Sequence, residues 1–290
     1  MNLRRSKAGR AATVVSLALT LVGATALTAS AITGGELDGN GHPNVGIIGF
    51  YDATGRFRCS ATLVTPTVLV TAAHCTDGTL GKTAVKFDSV IAENPPSPLP
   101  VAANPATGYT QAELAKAGWL SGTAHTHPQY SDFTDTANWN DVGVIVLDQA
   151  VVGIAPAVVA PANYLDRFTP NILNKTLFTA VGYGTEVRQA ETGPQKPTPQ
   201  SYPIVRRVAQ MPGQKLTPQI LQVNGNEKDP RGTGGTCFGD SGGPSFQGGY
   251  QVTVTSYGYT ANCRYLDGFQ RIDIPVVQNW LAGFGVHPAG

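Results

Sequence analysis

The sequence predicts an all-β protein, a sandwich or barrel of short strands joined by turns. Three observations carry that reading. Brief apolar runs rich in Val, Ile, Thr and aromatics recur along the chain, 34 Gly and 21 Pro punctuate them, and no heptad pattern appears. With 41% hydrophobic and only 13% charged residues in a 290-residue chain, the composition excludes a disordered or rod-like protein. That length allows one large β unit or two packed halves.

The strands are expected at Val45–Phe50, Ala61–Val64, Val68–Thr71, Val142–Leu147, Leu177–Val181, Gln251–Tyr257 and Phe269–Ile274. Proline makes loops of the Asn94–Pro98 stretch and of the tract Thr192–Pro203. Helical spacing marks Gln111–Ala117, decorating an insertion, and Val276–Leu281, where Val276, Val277, Trp280 and Leu281 share one face that closes the chain against the core. No internal repeat is visible.

Residues 1–31 read as a secretory signal peptide. Arg4, Arg5, Lys7 and Arg10 form a basic head without an acid, an apolar middle runs from Val14 to Ala26, and Ala29-Ser30-Ala31 supplies the cleavage signal. The apolar run falls short of the ~20 residues of a membrane span. An alternative cut after Ala26 would leave Leu27–Ala31 as a short propeptide. Removing the four basic residues leaves 16 Lys+Arg against 19 Asp+Glu, a mature net charge of −3, so no basic surface for nucleic acid is expected. Export also makes disulfides the default for Cys59, Cys75, Cys237 and Cys263, which permit three pairings and contain no C-x-x-C pair for zinc.

Chemistry concentrates in three places. In Gly239-Asp240-Ser241-Gly242-Gly243-Pro244 a serine sits among glycines, where the backbone N–H groups of Gly239 and Ser241 can converge as an oxyanion hole. Taken alone, a Gly-rich hairpin turn is the competing reading of this stretch. Thr71-Ala72-Ala73-His74-Cys75 ends a strand with a histidine beside a cysteine, and a general base must be held within reach of its nucleophile. Asn140-Asp141 opens a strand that is apolar from Val142 to Leu147, and a carboxylate buried there needs a partner such as a histidine N–H.

Together, in the order His74, Asp141, Ser241, the motifs TAAHC, NDVGVIVL and GDSGGP resemble those of the chymotrypsin/trypsin-like serine peptidases. The likeness extends to Ile32-Thr33-Gly34-Gly35, Gly182-Tyr183-Gly184-Thr185 and Ser256-Tyr257-Gly258, covering nearly all of the chain after residue 31. The resemblance implies two packed six-stranded antiparallel Greek-key β-barrels with a C-terminal helix. The first (32–165) would carry the catalytic His and Asp, and the second (166–290) the Ser and the specificity pocket. It implies a secreted, monomeric endopeptidase without metal or cofactor, acting on protein or peptide substrates and open to protein inhibitors. Ser241 would be the nucleophile, His74 the base, Asp141 its orienting partner and Ser256 a second partner of that aspartate. Cys59 would pair with Cys75 and Cys237 with Cys263. The freed amine of Ile32 would pair with Asp240, so that signal cleavage itself activates the enzyme.

The pocket departs from the trypsin pattern. The floor position falls on Gly235, where a basic-selective member carries an aspartate, and with Thr236, Phe238, Tyr257 and Gly258 this implies a neutral pocket for apolar or aromatic side chains. The loop Cys263–Arg271 is short, so either Asp267 or Gly268 takes the second lining position, and an inward Asp267 would instead favour Arg or Lys. Residues 93–122 are expected near the cleft, and His125-Thr126-His127 reads as a solvated pair, not a metal site, for want of a third ligand. Two rivals remain. A catalytically silent binding module would typically lack the His or Ser present here, and an α/β-hydrolase would run Ser, Asp, His.

Overall fold

The computed structural model describes residues 32–188 and 198–290. The signal-peptide reading of residues 1–31 and the expected loop at 192–197 lie outside these described residues.

The chain begins with β1 (Glu36–Leu37), followed by β2 (Val45–Tyr51), β3 (Arg56–Thr65), β4 (Val68–Thr71), β5 (Leu80–Lys86), β6 (Val90–Ala92), β7 (Leu120–Thr126) and β8 (Gly143–Leu147). Six of them close an antiparallel barrel in the order β2-β3-β4-β8-β7-β5. The period of two explains their composition. Ile48 and Phe50 of β2 fill the barrel with Leu63, Leu69 and Ile145, while Val45 and Ile47 pack outward against Val181, Tyr183 and Ile204 from later in the chain. Both faces of β2 are buried, which is why it reads as one unbroken apolar run.

The second half holds β9 (Leu177–Gly182), β10 (Glu186–Arg188), β11 (Thr198–Gln200), β12 (Ile204–Val205), β13 (Arg207–Leu216), β14 (Ile220–Asn224), β15 (Pro244–Gln247), β16 (Tyr250–Gly258) and β17 (Leu266–Arg271). Its order β13-β14-β17-β16-β15-β9 is closed by β9 pairing back onto β13. Phe178, Ala180, Met211, Leu221, Val252 and Phe269 fill it. The protein is therefore two closed six-stranded antiparallel barrels. One local difference stands out: β11 lies inside the tract expected as loop, with Pro199 opposite Val187. A two-stranded ribbon has free edges, so the proline's missing donor costs it nothing.

The ends of the chain cross between barrels. β1 pairs with β13 of the second barrel, Glu36 opposite Val208, and Ile32 is buried in that barrel's core. At the other end the helix Pro275–Ala282 lays Val277 and Leu281 against Val64, Val68 and Val144 of the first barrel and Val254 and Ile272 of the second. Arg206 fastens the seam from a fully buried position. Its guanidinium donates to Asp38 Oδ2 (2.8 Å), to the carbonyls of Val45, Phe87 and Gly39, and to the Tyr183 hydroxyl. Burial alone would raise the pKa of Asp38, but hydrogen bonds from His42 and Arg206 hold it at about 2.

Residues 93–122, expected near the cleft, contribute nothing to the lining of the cavity beside Ser241. Leu99, Tyr109, Leu114 and Trp119 pack with Tyr51 and Ala84, and Arg56 bonds the carbonyls of Leu99 and Pro100. The short helix there, Gln111–Lys116, is nucleated by a capping box between Thr110 and Glu113.

Candidate active site

His74 lies in a single 3-10 turn, Ala73–Cys75, that follows β4. A disulfide from Cys75 to Cys59 ties this turn to β3. Asp141, fully buried at the mouth of β8, receives the backbone N–H of His74 on Oδ1 (2.9 Å), and its Oδ2 lies 2.9 Å from the ring Nδ1. Ser256 of β16 donates its hydroxyl to the same Oδ2 at 2.6 Å. The carboxylate is thus surrounded by donors, as burial of a charge requires. The preceding Asn140 adopts a left-handed φ of 44°, a conformation asparagine tolerates, with its N–H on Gln219 Oε1.

The serine loop is seated on the segment that leads into His74. Ser60 N–H donates to the Ser241 carbonyl (2.8 Å), and Thr71 Oγ1 donates to the Ser60 carbonyl (2.8 Å). A Cβ at Gly242 would fall 1.9 Å from Thr71 Oγ1, and its φ is +74°, so only glycine allows this seating. The Phe238 carbonyl accepts from Thr185 N–H (2.8 Å). In a trans peptide the C=O and N–H point apart, so the Gly239 N–H is turned the other way. Among the described residues, neither Gly239 N nor Ser241 N donates to any protein acceptor, and Ser241 Oγ is also unbonded. These two amides and the hydroxyl stay free for a ligand.

Asp240, between them, is buried with its carboxylate accepting the amides of Gly184 (2.7 Å) and Cys237 (2.9 Å). Burial pushes it up to about 7, against the opposing pull of those amides and of the Arg58 and Arg207 cations. Ile32 is wholly buried, its carbonyl bonded to Gly35 N, and Thr33 bridges to Gly235. The Ile32 N–H is not among the donors to Asp240 in this continuous chain, where it is an amide and carries no charge.

A cavity of about 350 Å³ opens beside Ser241, lined by Thr236, Phe238, Ser256, Tyr257, Gly258 and Asp267 among others. Two sequence expectations change here. Gly235 is not part of the lining, because it packs onto Gly225, whose carbonyl would be 2.2 Å from a Cβ. Gly268 is not part of it either, since it lies beneath the Tyr257 ring, whose Cζ would be 2.2 Å from a Cβ. Asp267 takes the wall, fixed by β17 registering Asp267 opposite both Val223 and Gly258. The pocket is therefore not free of ionisable groups, as Gly235 alone implied. Asp267 Oδ2 accepts the N–H and hydroxyl of Thr236 (2.9 and 2.8 Å), yet burial and the nearby Asp240 raise its pKa to about 7. The disulfide Cys237–Cys263 braces the pocket edge, and Phe238 stands exposed at the mouth.

The sequence reading missed the loop 129–140. Its Phe133 packs 5.6 Å from the His74 ring and 5.2 Å from Trp139, which continues to Tyr257 at 5.3 Å. A tryptophan two positions before Asp141 was the available signal. His127, expected in solvent, is instead buried against Trp280, and burial lowers its pKa. Among the described residues the one cluster with metal-ligand types is Cys59, His74 and Cys75, but both sulfurs belong to a disulfide. None of the helices in the described residues is long and apolar enough to cross a membrane.

This constellation of imidazole, buried carboxylate, glycine-framed serine and free amides defines a peptidase class, and comparison with known proteins assigns it. The family model described as Trypsin matches residues 40–281, and the chain belongs to that family. It is a serine endopeptidase acting on protein or peptide substrates. It is similar to brachyurin of Leptuca pugilator, at 27% identity over 229 residues, covering 74% of this chain and 83% of that protein. A solved structure of HL collagenase shares the fold with a TM-score of 0.61 at 16% identity, covering 88% of this chain and 98% of the other.

Proposed function

We propose that this chain is a secreted, monomeric serine endopeptidase built on the triad Ser241, His74 and Asp141, with residues 32–165 and 166–290 as its two halves. The observation that carries the reading is the pairing of buried Asp141 with the part-buried His74, together with a serine whose own amide and that of Gly239 donate to no protein acceptor among the described residues. Ser241 Oγ attacks the scissile carbonyl carbon as His74 Nε2 takes its proton. The carbonyl oxygen becomes an oxyanion held by the N–H groups of Gly239 and Ser241, each contributing on the order of 3 kcal/mol. His74 then gives the proton to the leaving amine nitrogen, and water releases the acyl group by the same route in reverse. Asp141 holds the tautomer that keeps Nε2 free and stabilises the imidazolium.

Activation follows from cleavage before Ile32. The new ammonium pairs with Asp240, whose buried carboxylate is poorly neutralised in the longer chain, and export suits the two disulfides. The primary pocket is mixed: apolar along its walls, with Asp267 able to receive the cation of Arg or Lys when ionised. The test is a diverse peptide library with the secreted protein, its N-terminus sequenced. Cleavage that vanishes in Ser241→Ala, from a chain starting at Ile32, is expected. Undiminished cleavage by Ser241→Ala would refute the triad, and inactivity of a chain that starts at Ile32 would refute direct activation.

A further inference from the structure

Behind Asp141 the hydrogen bonds form a directed series. Trp139 Nε1 donates to Ser256 Oγ at 2.9 Å, and Ser256 Oγ donates to Asp141 Oδ2 at 2.6 Å. A serine hydroxyl carries one proton on a free rotor and can normally send it in several directions. An indole N–H can only donate. The first bond therefore has a fixed sense: the Ser256 oxygen must accept from Trp139, and its single proton is left for Asp141.

We propose that Trp139 is a positioning residue of the peptidase reaction, acting through Ser256 to commit a hydroxyl proton to the aspartate that holds His74. The inference rests on the triad reading above and extends it by one residue. The tryptophan is itself well held. Its carbonyl accepts from Ser131 N–H (3.3 Å), and its ring is wedged between Phe133, which covers His74, and Tyr257 of the pocket wall. The donated proton drains charge from Oδ2, the oxygen that also faces the ring Nδ1 at 2.9 Å. Without the indole N–H the Ser256 proton is free to turn away. Asp141 then keeps more of its charge for the imidazolium, and the carboxylate that orients the ring loses one of the contacts that fix its own angle. Two consequences should appear together: a slower chemical step, and a more basic His74.

The experiment compares wild type, Trp139→Phe, Ser256→Ala and the double variant on a short ester and a peptide, across pH. Trp139→Phe should lower kcat about 3- to 10-fold, the range expected for losing one hydrogen bond between neutral groups. KM should change less than about twofold, and the acid limb of kcat/KM should move to higher pH. In the Ser256→Ala background Trp139→Phe should add nothing. A second variant replaces Trp139 with 3-benzothienylalanine, which keeps the ring shape and removes only the donor, and it should reproduce the same split. A benzothienyl protein with wild-type kcat and acid limb would overturn the proposal. So would a Trp139→Phe effect that persists undiminished without Ser256. Ser241→Ala run alongside separates the two readings: if it retains the rate, the triad itself fails and this inference falls with it, whereas a dead Ser241→Ala with an insensitive Trp139 sinks the inference alone.

Discussion

Primary specificity should switch with pH, and Asp267 sets where. The carboxyl lies in the wall of a cavity of about 350 Å³ with a pKa of about 7, raised by burial above all and then by Asp240, against the hydrogen bonds from Thr236. Below pH 7 a neutral wall should favour Leu or Phe; above it the carboxylate should favour Arg or Lys, whose own charges are constant throughout. A group of this pKa is about a tenth ionised at pH 6 and about nine-tenths at pH 8. The ratio of kcat/KM for an Arg substrate to that for a matched Leu substrate should therefore rise about tenfold, equivalent to about 1.4 kcal/mol. The ratio is the right quantity, because whatever acts equally on both substrates cancels in it. The assay measures both peptides from pH 5.5 to 8.5 in wild type and Asp267→Asn. A flat ratio in wild type, or the same slope in Asp267→Asn, would refute the argument.

The same carboxyl bears on stability. Its folded pKa lies above the ordinary 3.8, so the native state holds a proton that the unfolded chain releases, and this stabilisation is complete below about pH 4 and lost as pH rises through 7. Asp267→Asn should therefore gain in melting temperature relative to wild type between pH 5 and pH 8, and no such gain would mean the carboxyl is not desolvated. Arg206→Met leaves Asp38 buried without its cation and should cost about 3–5 kcal/mol in urea unfolding at pH 7. Because Asp38 is lowered from 3.8 to about 2, that deficit should shrink as pH falls from about 4 through 2, and an unchanged gap there would count against the ion pair as its source. Replacing Cys59 and Cys75 together by Ser opens a link of sequence separation 16 and should cost about 3 kcal/mol. The loss should be read by denaturant titration of inactive Ser241→Ala protein, and a cost near zero would show the turn at His74 is held by packing alone.

The parts of this protein that were legible in the sequence are those whose chemistry is contiguous. His74, Asp141 and Ser241 each sit in a short motif whose neighbours do the local work. Cys75 anchors the turn, the apolar run of β8 buries the carboxylate, and the glycines seat the serine on Thr71. β2, β4 and β8 were legible for a related reason, since burial on both faces leaves an unbroken apolar run. What could not be read depends on pairing at a distance. β13 carries Arg207, Gln210 and Pro212 and shows no apolar alternation; Gln210 bonds Thr179 of β9 across the sheet, Arg207 pairs with Glu186 of the separate β10 ribbon, and the proline falls at the end of the ladder with β9. The choice between Asp267 and Gly268 hinged on the register of β17 against β14 and β16, which loop length alone does not determine. Trp139 was invisible for the same cause. Its indole has meaning only because a strand 117 positions later brings Ser256 beneath it, so the residue that directs the proton toward Asp141 is chosen by the packing of the two barrels and not by any local pattern.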